Sequence, residues 1–191
     1  MTSKIFVIGM FKTGLASTEV ALEKLGLKVY RNNPYQINQW LQKDIMELAS
    51  DEFNLDIAEF NTDIIEGMKT CDAGSHHPFM FIYPWLDETF PGSRFILTQR
   101  DVSHVIRSTN NVIQFCKKGM VSNQKISDRY TFHQGQVLNY FKNRQKDLLI
   151  MNYENKDGWI KLCSFLKIPC PNISIDFPWV NKSFNGGELI K

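Results

Sequence analysis

Apolar positions along this chain switch repeatedly between short continuous runs and helical spacing. Residues 4–10 form a brief β-branched apolar run, Ile5-Phe6-Val7-Ile8, that closes on Gly9 and reads as a buried strand. Ala16, Val20, Leu22 and Leu25 then recur at helical intervals, so a helix is predicted over 13–25, with Gly26 where a helix stop belongs. A second strand is predicted over 27–30. Helices follow over 34–49 and 51–68. In the latter, Phe53, Ile57, Phe60, Ile64 and Met68 share one face. The other face carries Asp51, Glu52, Asp56, Glu59, Asp63 and Glu66, the signature of a solvated surface.

The second half repeats the alternation. A strand is predicted near 68–73 and a helix over 78–90, with Pro78 in its first turn. After the Pro91-Gly92 turn, residues 94–98 (Arg-Phe-Ile-Leu-Thr) form the clearest buried strand. A helix over 101–115 takes Asp101 as N-cap. Polar residues 122–127 read as a loop. A helix over 129–146, a strand over 148–153 and a helix over 157–166, stopped by Pro169 and Pro171, complete the pattern. Repeated strand–helix units predict an α/β chain of three layers, a parallel sheet with helices on both faces. Such folds bind ligands beyond the carboxyl ends of their strands, at the first strand–helix turn.

Composition narrows the function. The chain has 191 residues, 43% hydrophobic and 22% charged, which suits one domain over 1–191 and excludes a disordered chain. A net charge of +2 gives no case for a nucleic-acid-coating protein. No apolar run is long enough for a membrane span. Cys71, Cys116, Cys163 and Cys170 show neither CxxC nor paired-His spacing, so free thiols in a reducing, cytoplasmic compartment are expected, with no metal.

The first turn carries the chemistry. Gly9 and Gly14 have the spacing of a phosphate-binding loop, but no Lys-Ser/Thr follows the second glycine; the lysine lies inside the loop, at Lys12. Backbone N–H groups at the following helix start still offer an anion cradle, with Lys12 as a point charge and Ser17 and Thr18 as hydroxyls. Loss of the usual Mg²⁺ ligand argues against an ordinary ATPase, GTPase or small-molecule kinase. A tight turn with an exposed lysine is the plain alternative. Further on, a strand delivers Arg100 at its carboxyl end, and Ser108 stands two helical turns later. Together they could hold a phosphate, or Arg100 and Asp101 could be a structural pair.

These motifs, Lys12-Thr13-Gly14 after a strand, then Phe90-Pro91-Gly92-Ser93-Arg94-Phe95-Ile96-Leu97-Thr98-Gln99-Arg100-Asp101 with Ser108, resemble the sulfotransferase family. The late Tyr153-Glu154, Gly158-Trp159 and Phe177-Pro178-Trp179 stretches are similar to its closing strand, helix and tail. The resemblance implies a P-loop NTPase-like sulfotransferase fold. It also implies a donor, 3′-phosphoadenosine 5′-phosphosulfate (PAPS), that leaves as adenosine 3′,5′-bisphosphate, and a small-molecule or glycan acceptor bearing a hydroxyl or amine. Lys12, Thr13, Gly14, Leu15, Ala16 and Ser17 would hold the 5′ side, and Arg100 and Ser108 the 3′-phosphate. Leu15 and Ala16 replace residues that carry hydroxyls in the family, Val102 replaces a common proline, and no Arg-Lys-Gly segment is present. A catalytically silent nucleotide-binding or scaffold protein is therefore the rival expectation. For the base that accepts the acceptor's proton, position nominates Asp72 and His77, with Lys12 as the catalytic cation. Both follow a predicted strand whose end faces the Lys12 loop; His76 and His133 come next.

Overall fold

The computed structural model describes residues 3–30, 61–115, 121–171 and 175–180. Five strands form one parallel sheet: β1 (Ile5–Val7), β2 (Val29–Tyr30), β3 (Ala73–Gly74), β4 (Arg94–Gln99) and β5 (Leu148–Asn152), in the order β2-β3-β1-β4-β5. Helices α1 (Leu15–Lys24), α2 (Asn61–Thr70), α3 (Tyr83–Thr89), α4 (Val102–Phe115), α5 (Asn123–Tyr140) and α6 (Trp159–Leu166) flank it. The α/β class expected from the alternation is the one observed.

The strand order places a topological switch at β1. From β1 the chain moves first to β2 and β3 on one side, then to β4 and β5 on the other. The carboxyl edge at such a switch point is the usual ligand position in open parallel sheets.

Period-two alternation sorts the core into two layers. Val7 and Ile96 face a cluster with Leu22 of α1, Val105 of α4 and Leu162 of α6. Phe6, Ile8, Phe95 and Leu97 face the other, with Met68 of α2, Leu86 of α3 and Phe141. α5 serves both, through Ile126 and Tyr130 at one end and Val137 at the other. Five phenylalanines, Phe6, Phe79, Phe90, Phe95 and Phe141, are buried in the second layer. Phe6 meets Phe79, Phe90 and Phe95 with centroids 5.8, 5.5 and 5.6 Å away, and Phe95 meets Phe141 at 4.8 Å. Such tilted and offset ring pairs add to the area they bury.

Several boundaries differ from the sequence expectation, each for a local reason. Residues 122–127 are the start of α5 rather than a loop: the Ser122 hydroxyl accepts the Lys125 N–H at 3.2 Å, a side-chain N-cap. The helix expected from Pro78 begins at Tyr83, with Pro84 in its first turn, and residues 77–81 are turns. The strand expected over 68–73 is the end of α2 followed by the two-residue β3. α5 ends at Tyr140, and Gln145–Asp147 form a separate 3₁₀ turn. The helix expected over 34–49, and that over 51–68 up to residue 60, lie outside the described residues. Among the described residues no helix is long and apolar enough to cross a membrane, and Cys71, Cys163 and Cys170 carry free thiols.

Phe6 is fully buried at the centre of the aromatic layer. Phe6→Ala is expected to cost about 3–5 kcal/mol, read as a lower urea midpoint with unchanged slope.

Candidate anion site at the first strand–helix turn

The β1–α1 connection is shaped by close contact with β4. A Cβ built on Gly9 would lie 1.8 Å from Thr98 Oγ1 and 2.8 Å from Thr98 N, so only glycine lets the loop run against the strand. The buried Thr13 hydroxyl bonds both the Met10 carbonyl and the Thr98 hydroxyl, closing the loop onto itself and onto β4. Lys12 takes a left-handed φ of 66° and Gly14 one of 113°. At Gly14 the backbone also passes under Tyr153, whose ring atoms would sit 2.7 Å from an added Cβ.

These turns deliver α1 with Gly14 as its N-cap, no side-chain cap and no acidic residue in the first turn. The N–H groups of a helix's first turn lack intrahelical partners and point along the positive end of the helix dipole. Leu15 is buried in the core, and Leu15 and Ala16 bring backbone N–H groups but no hydroxyl to this turn. Ser17 is buried, and its oxygen accepts the Val180 N–H at 3.2 Å. Thr18 bonds the Tyr153 hydroxyl at 2.6 Å, fixing α1 to the end of β5; burial pushes the Tyr153 phenol well above its ordinary range.

Two cationic side chains, Lys12 and Arg100, are neighbours at this edge. Burial pushes the Lys12 ammonium below its ordinary pKa, and the neighbouring Arg100 charge adds to the depression. Arg100 Nη1 donates to the Lys12 carbonyl at 3.3 Å, and its Nε donates to Glu154 Oε1 at 2.8 Å. The Tyr130 hydroxyl clasps the Arg100 backbone, accepting from its N–H and donating to its carbonyl. Glu154 is the hub. It also meets His104 Nδ1 at 2.6 Å and accepts the Asp101 N–H at 3.0 Å. Partial burial alone would raise the Glu154 carboxyl; hydrogen bonds from Arg100, Asp101 and His104, with the Arg100 charge, outweigh it and hold the pKa below the usual range. Asp101 caps α4, its carboxylate accepting the Ser103 N–H at 2.8 Å and the Ser103 hydroxyl.

Lys12, Thr13, Gly14, Leu15, Ala16 and Ser17 thus share one turn, with Arg100 bonded to it. Ser108 is half-buried on the second turn of α4, and Arg100 is engaged by Glu154 and Lys12 rather than by Ser108. The base candidates separate. Asp72 precedes β3, so it lies at the amino edge, opposite the loop, where Oδ2 accepts the Lys28 N–H at 2.8 Å. Its placement after a strand, assumed from sequence, is not the observed one. His77 does follow β3 but is buried, its ring edge-on to Phe81. His133 is buried beyond it and contacts the Met80 carbonyl at 2.9 Å; burial lowers its pKa. His76 is exposed at the same edge, with Nε2 2.9 Å from Glu19 Oε1 of α1. Sequence reasoning missed Thr98, Tyr130, Glu19 and the ties made by Tyr153 and Glu154. None belongs to the loop motif, and only the fold brings them to it. Among the described residues no His/Cys/Asp/Glu group is arranged to hold a metal ion.

A family model described as "Sulfotransferase domain" matches residues 4–123 and 114–185 of the chain. A search of curated proteins finds no match.

The depressed Glu154 pKa gives a signed expectation. A carboxyl whose native pKa lies below its unfolded value, about 4.3, contributes stability above that pH and loses it as pH falls through the native pKa. Wild type should therefore be more stable than Glu154→Gln at neutral pH. The gap should close below about pH 4, as read by urea midpoints across pH.

Proposed function

This chain belongs to the sulfotransferase-domain family, and from that premise we propose that it moves a sulfuryl group from PAPS to a hydroxyl or amine of a small-molecule or glycan acceptor. The observation that carries the reading is the uncapped start of α1. It is set behind left-handed Lys12 and Gly14, with Arg100 bonded to the same loop. A glycine-lined turn, first-turn N–H groups with no side-chain cap among the described residues and two adjacent cations suit a ligand with several anionic groups.

In this reading the loop N–H groups from Thr13 to Ser17 hold the 5′ side of the donor. Lys12 faces the oxygen that bridges phosphorus and sulfur. Its depressed pKa reflects a cation held in a poorly solvated place beside another cation, and an anionic ligand would relieve both costs. Arg100 and Ser108 receive the 3′-phosphate, with Glu154 holding the guanidinium. Because the donor arrives already activated, the chemistry asks for in-line geometry, charge neutralisation and a base, without calling for a metal. For the base we favour His76. It follows β3, faces the loop edge and is exposed, whereas His77 is buried and Asp72 lies at the other edge. As the acceptor oxygen or nitrogen bonds sulfur, the bond from sulfur to the bridging oxygen breaks. The acceptor's proton passes to the imidazole and then to solvent.

Leu15 and Ala16 favour a second reading, a nucleotide-binding protein without turnover. The two readings part on sulfate release from labelled PAPS, with water as acceptor: transfer releases it, and a silent binder does not.

Three outcomes test the site. Adenosine 3′,5′-bisphosphate at 100 times its dissociation constant should stabilise the protein by about 2.7 kcal/mol. That corresponds to a Tm rise of roughly 5–10 °C for a chain of this size, with much less from 5′-AMP. Arg100→Ala should weaken the bisphosphate by about 1.5–3 kcal/mol and leave 5′-AMP nearly unchanged; equal losses for both ligands would remove the 3′-phosphate assignment. Lys12 acts on charge that grows as the bridging bond breaks, so Lys12→Ala should slow transfer about 10²–10³-fold. Donor affinity should stay within a few-fold. Full turnover in that variant would make the loop only a turn.

A further inference from the structure

The chain doubles back as soon as α6 ends. Lys167 takes a left-handed φ of 57°. Its N–H bonds the Ser164 carbonyl at 3.4 Å, and the Ile168 N–H bonds the Cys163 carbonyl at 3.1 Å. That pair of bonds around a left-handed residue is a Schellman close. It turns residues 168–170 back along the helix, where Pro169 and Pro171 restrict the backbone on either side of Cys170. The Cys170 thiol donates to the Trp159 carbonyl at 3.5 Å. A helical side chain leans toward the turn before it, over the residue four positions back. For Cys163 that residue is Trp159. Two free thiols are thus brought to one carbonyl, Cys163 from the buried face of α6 and Cys170 from the exposed side. Their nearness is felt in the Cys163 thiol, whose pKa is pushed up to about 12, first by burial and then by the adjoining Cys170 thiol.

We propose that Cys163 and Cys170 are a modification site, a thiol pair that closes to a disulfide when it meets a small oxidised disulfide such as glutathione disulfide. The inference goes beyond sulfuryl transfer and does not depend on it. Exposed Cys170 reacts first. Its thiolate attacks one sulfur of the oxidant, forming a mixed disulfide and releasing one small thiolate, which takes up the proton Cys170 lost. The Cys163 sulfur then attacks the Cys170 sulfur. The second small thiol leaves with the proton that Cys163 gives up. The two cysteines lose two electrons and two protons, and the small disulfide gains both. The new bond would fasten the chain at Cys170 to α6. The segment beyond it is one that Trp159 already holds: Nε1 donates to the Ile175 carbonyl at 2.9 Å, and Phe177 packs on the indole. From there the Val180 N–H reaches Ser17 in the anion turn. With its root fixed, a detached tail has less space to explore and reseats more readily. An oxidant that never touches the anion loop would act on it through the tail.

The test is a tryptic map of the full chain under non-reducing conditions, after treatment with excess glutathione disulfide. Wild type should lose two free thiols and give one cross-linked pair of peptides joining Cys163 to Cys170, reversed by dithiothreitol. Cys163→Ala should stop at the mixed disulfide between Cys170 and glutathione. Cys170→Ser should leave Cys163 reduced, and this exposed position keeps the proposal testable if the buried variant fails to fold. Amide hydrogen exchange of residues 175–180 should slow several-fold in oxidised wild type. The same treatment should leave exchange in Cys170→Ser unchanged. A wild type that stops at the mixed disulfide overturns the proposal. So does a cross-link to Cys71, Cys116 or a second chain in place of this pair, or glutathione entering at Cys163 when Cys170 is absent. A closed disulfide with unchanged exchange over 175–180 overturns the link to the tail. None of these readouts uses PAPS or bisphosphate, so failure here and failure of the transfer reading are separate results.

Discussion

The absence of a side chain at Gly9 is the constraint on which the rest is built. Because nothing projects there, the β1 loop lies against β4 closely enough for Thr13 and Thr98 to share a hydrogen bond. That contact sets where the loop turns, and the turn sets where α1 begins. Its uncapped N–H groups then fall at the switch point of the sheet, between the loops leaving β1 and β4. A larger residue at 9 would lift the loop away from Thr98 and carry Lys12, Gly14 and the helix start with it.

β4 and β5 do the complementary work from the other side. Their five-residue pairing, from Phe95 opposite Leu148 to Gln99 opposite Asn152, is the longest in the described sheet, so the residues just beyond it are held in register. Arg100 and Asp101 leave one strand, Tyr153 and Glu154 the other. Glu154 joins Arg100, Asp101 and His104, while Tyr153 reaches across to Thr18 and covers Gly14. One carboxylate among two cationic-type side chains and a backbone N–H is well satisfied, and it keeps Arg100 extended along the loop. The long strand pair is thus a ruler, and the site is read off its end.

Much of this was legible in the residues. The apolar run at β4, the turn between Gly9 and Gly14 and the helix cap at Asp101 each follow from local chemistry, and each is found where the pattern put it. Strand–helix alternation was enough for a parallel sheet. Misplaced boundaries share a cause: Ser122 and Pro78 are residues whose role depends on which neighbour folds around them. Ser122 turned out to begin a helix, and Pro78 to precede one. Asp72 and His77 show the same limit more sharply. A strand of two residues, Ala73–Gly74, decides which edge each one occupies, and a run that short leaves little periodicity to read. The pairing of Glu19 with His76, 57 positions apart in the sequence, is set by tertiary packing alone and leaves no local trace.

The segment after α6 has a consequence of its own. Phe177 stacks on Tyr153 and packs against Trp159, with centroids at 5.1 and 4.9 Å, and the Val180 N–H bonds the Ser17 oxygen. A hydroxyl that accepts at its oxygen still has one proton to give, and acceptance polarises that proton. The tail and any anion at the start of α1 would therefore share a single atom, one donating into it and the other drawing from it. Such sharing is reciprocal by thermodynamic necessity. Whatever free energy a seated tail adds to anion capture, a captured anion returns in full to the seating of the tail.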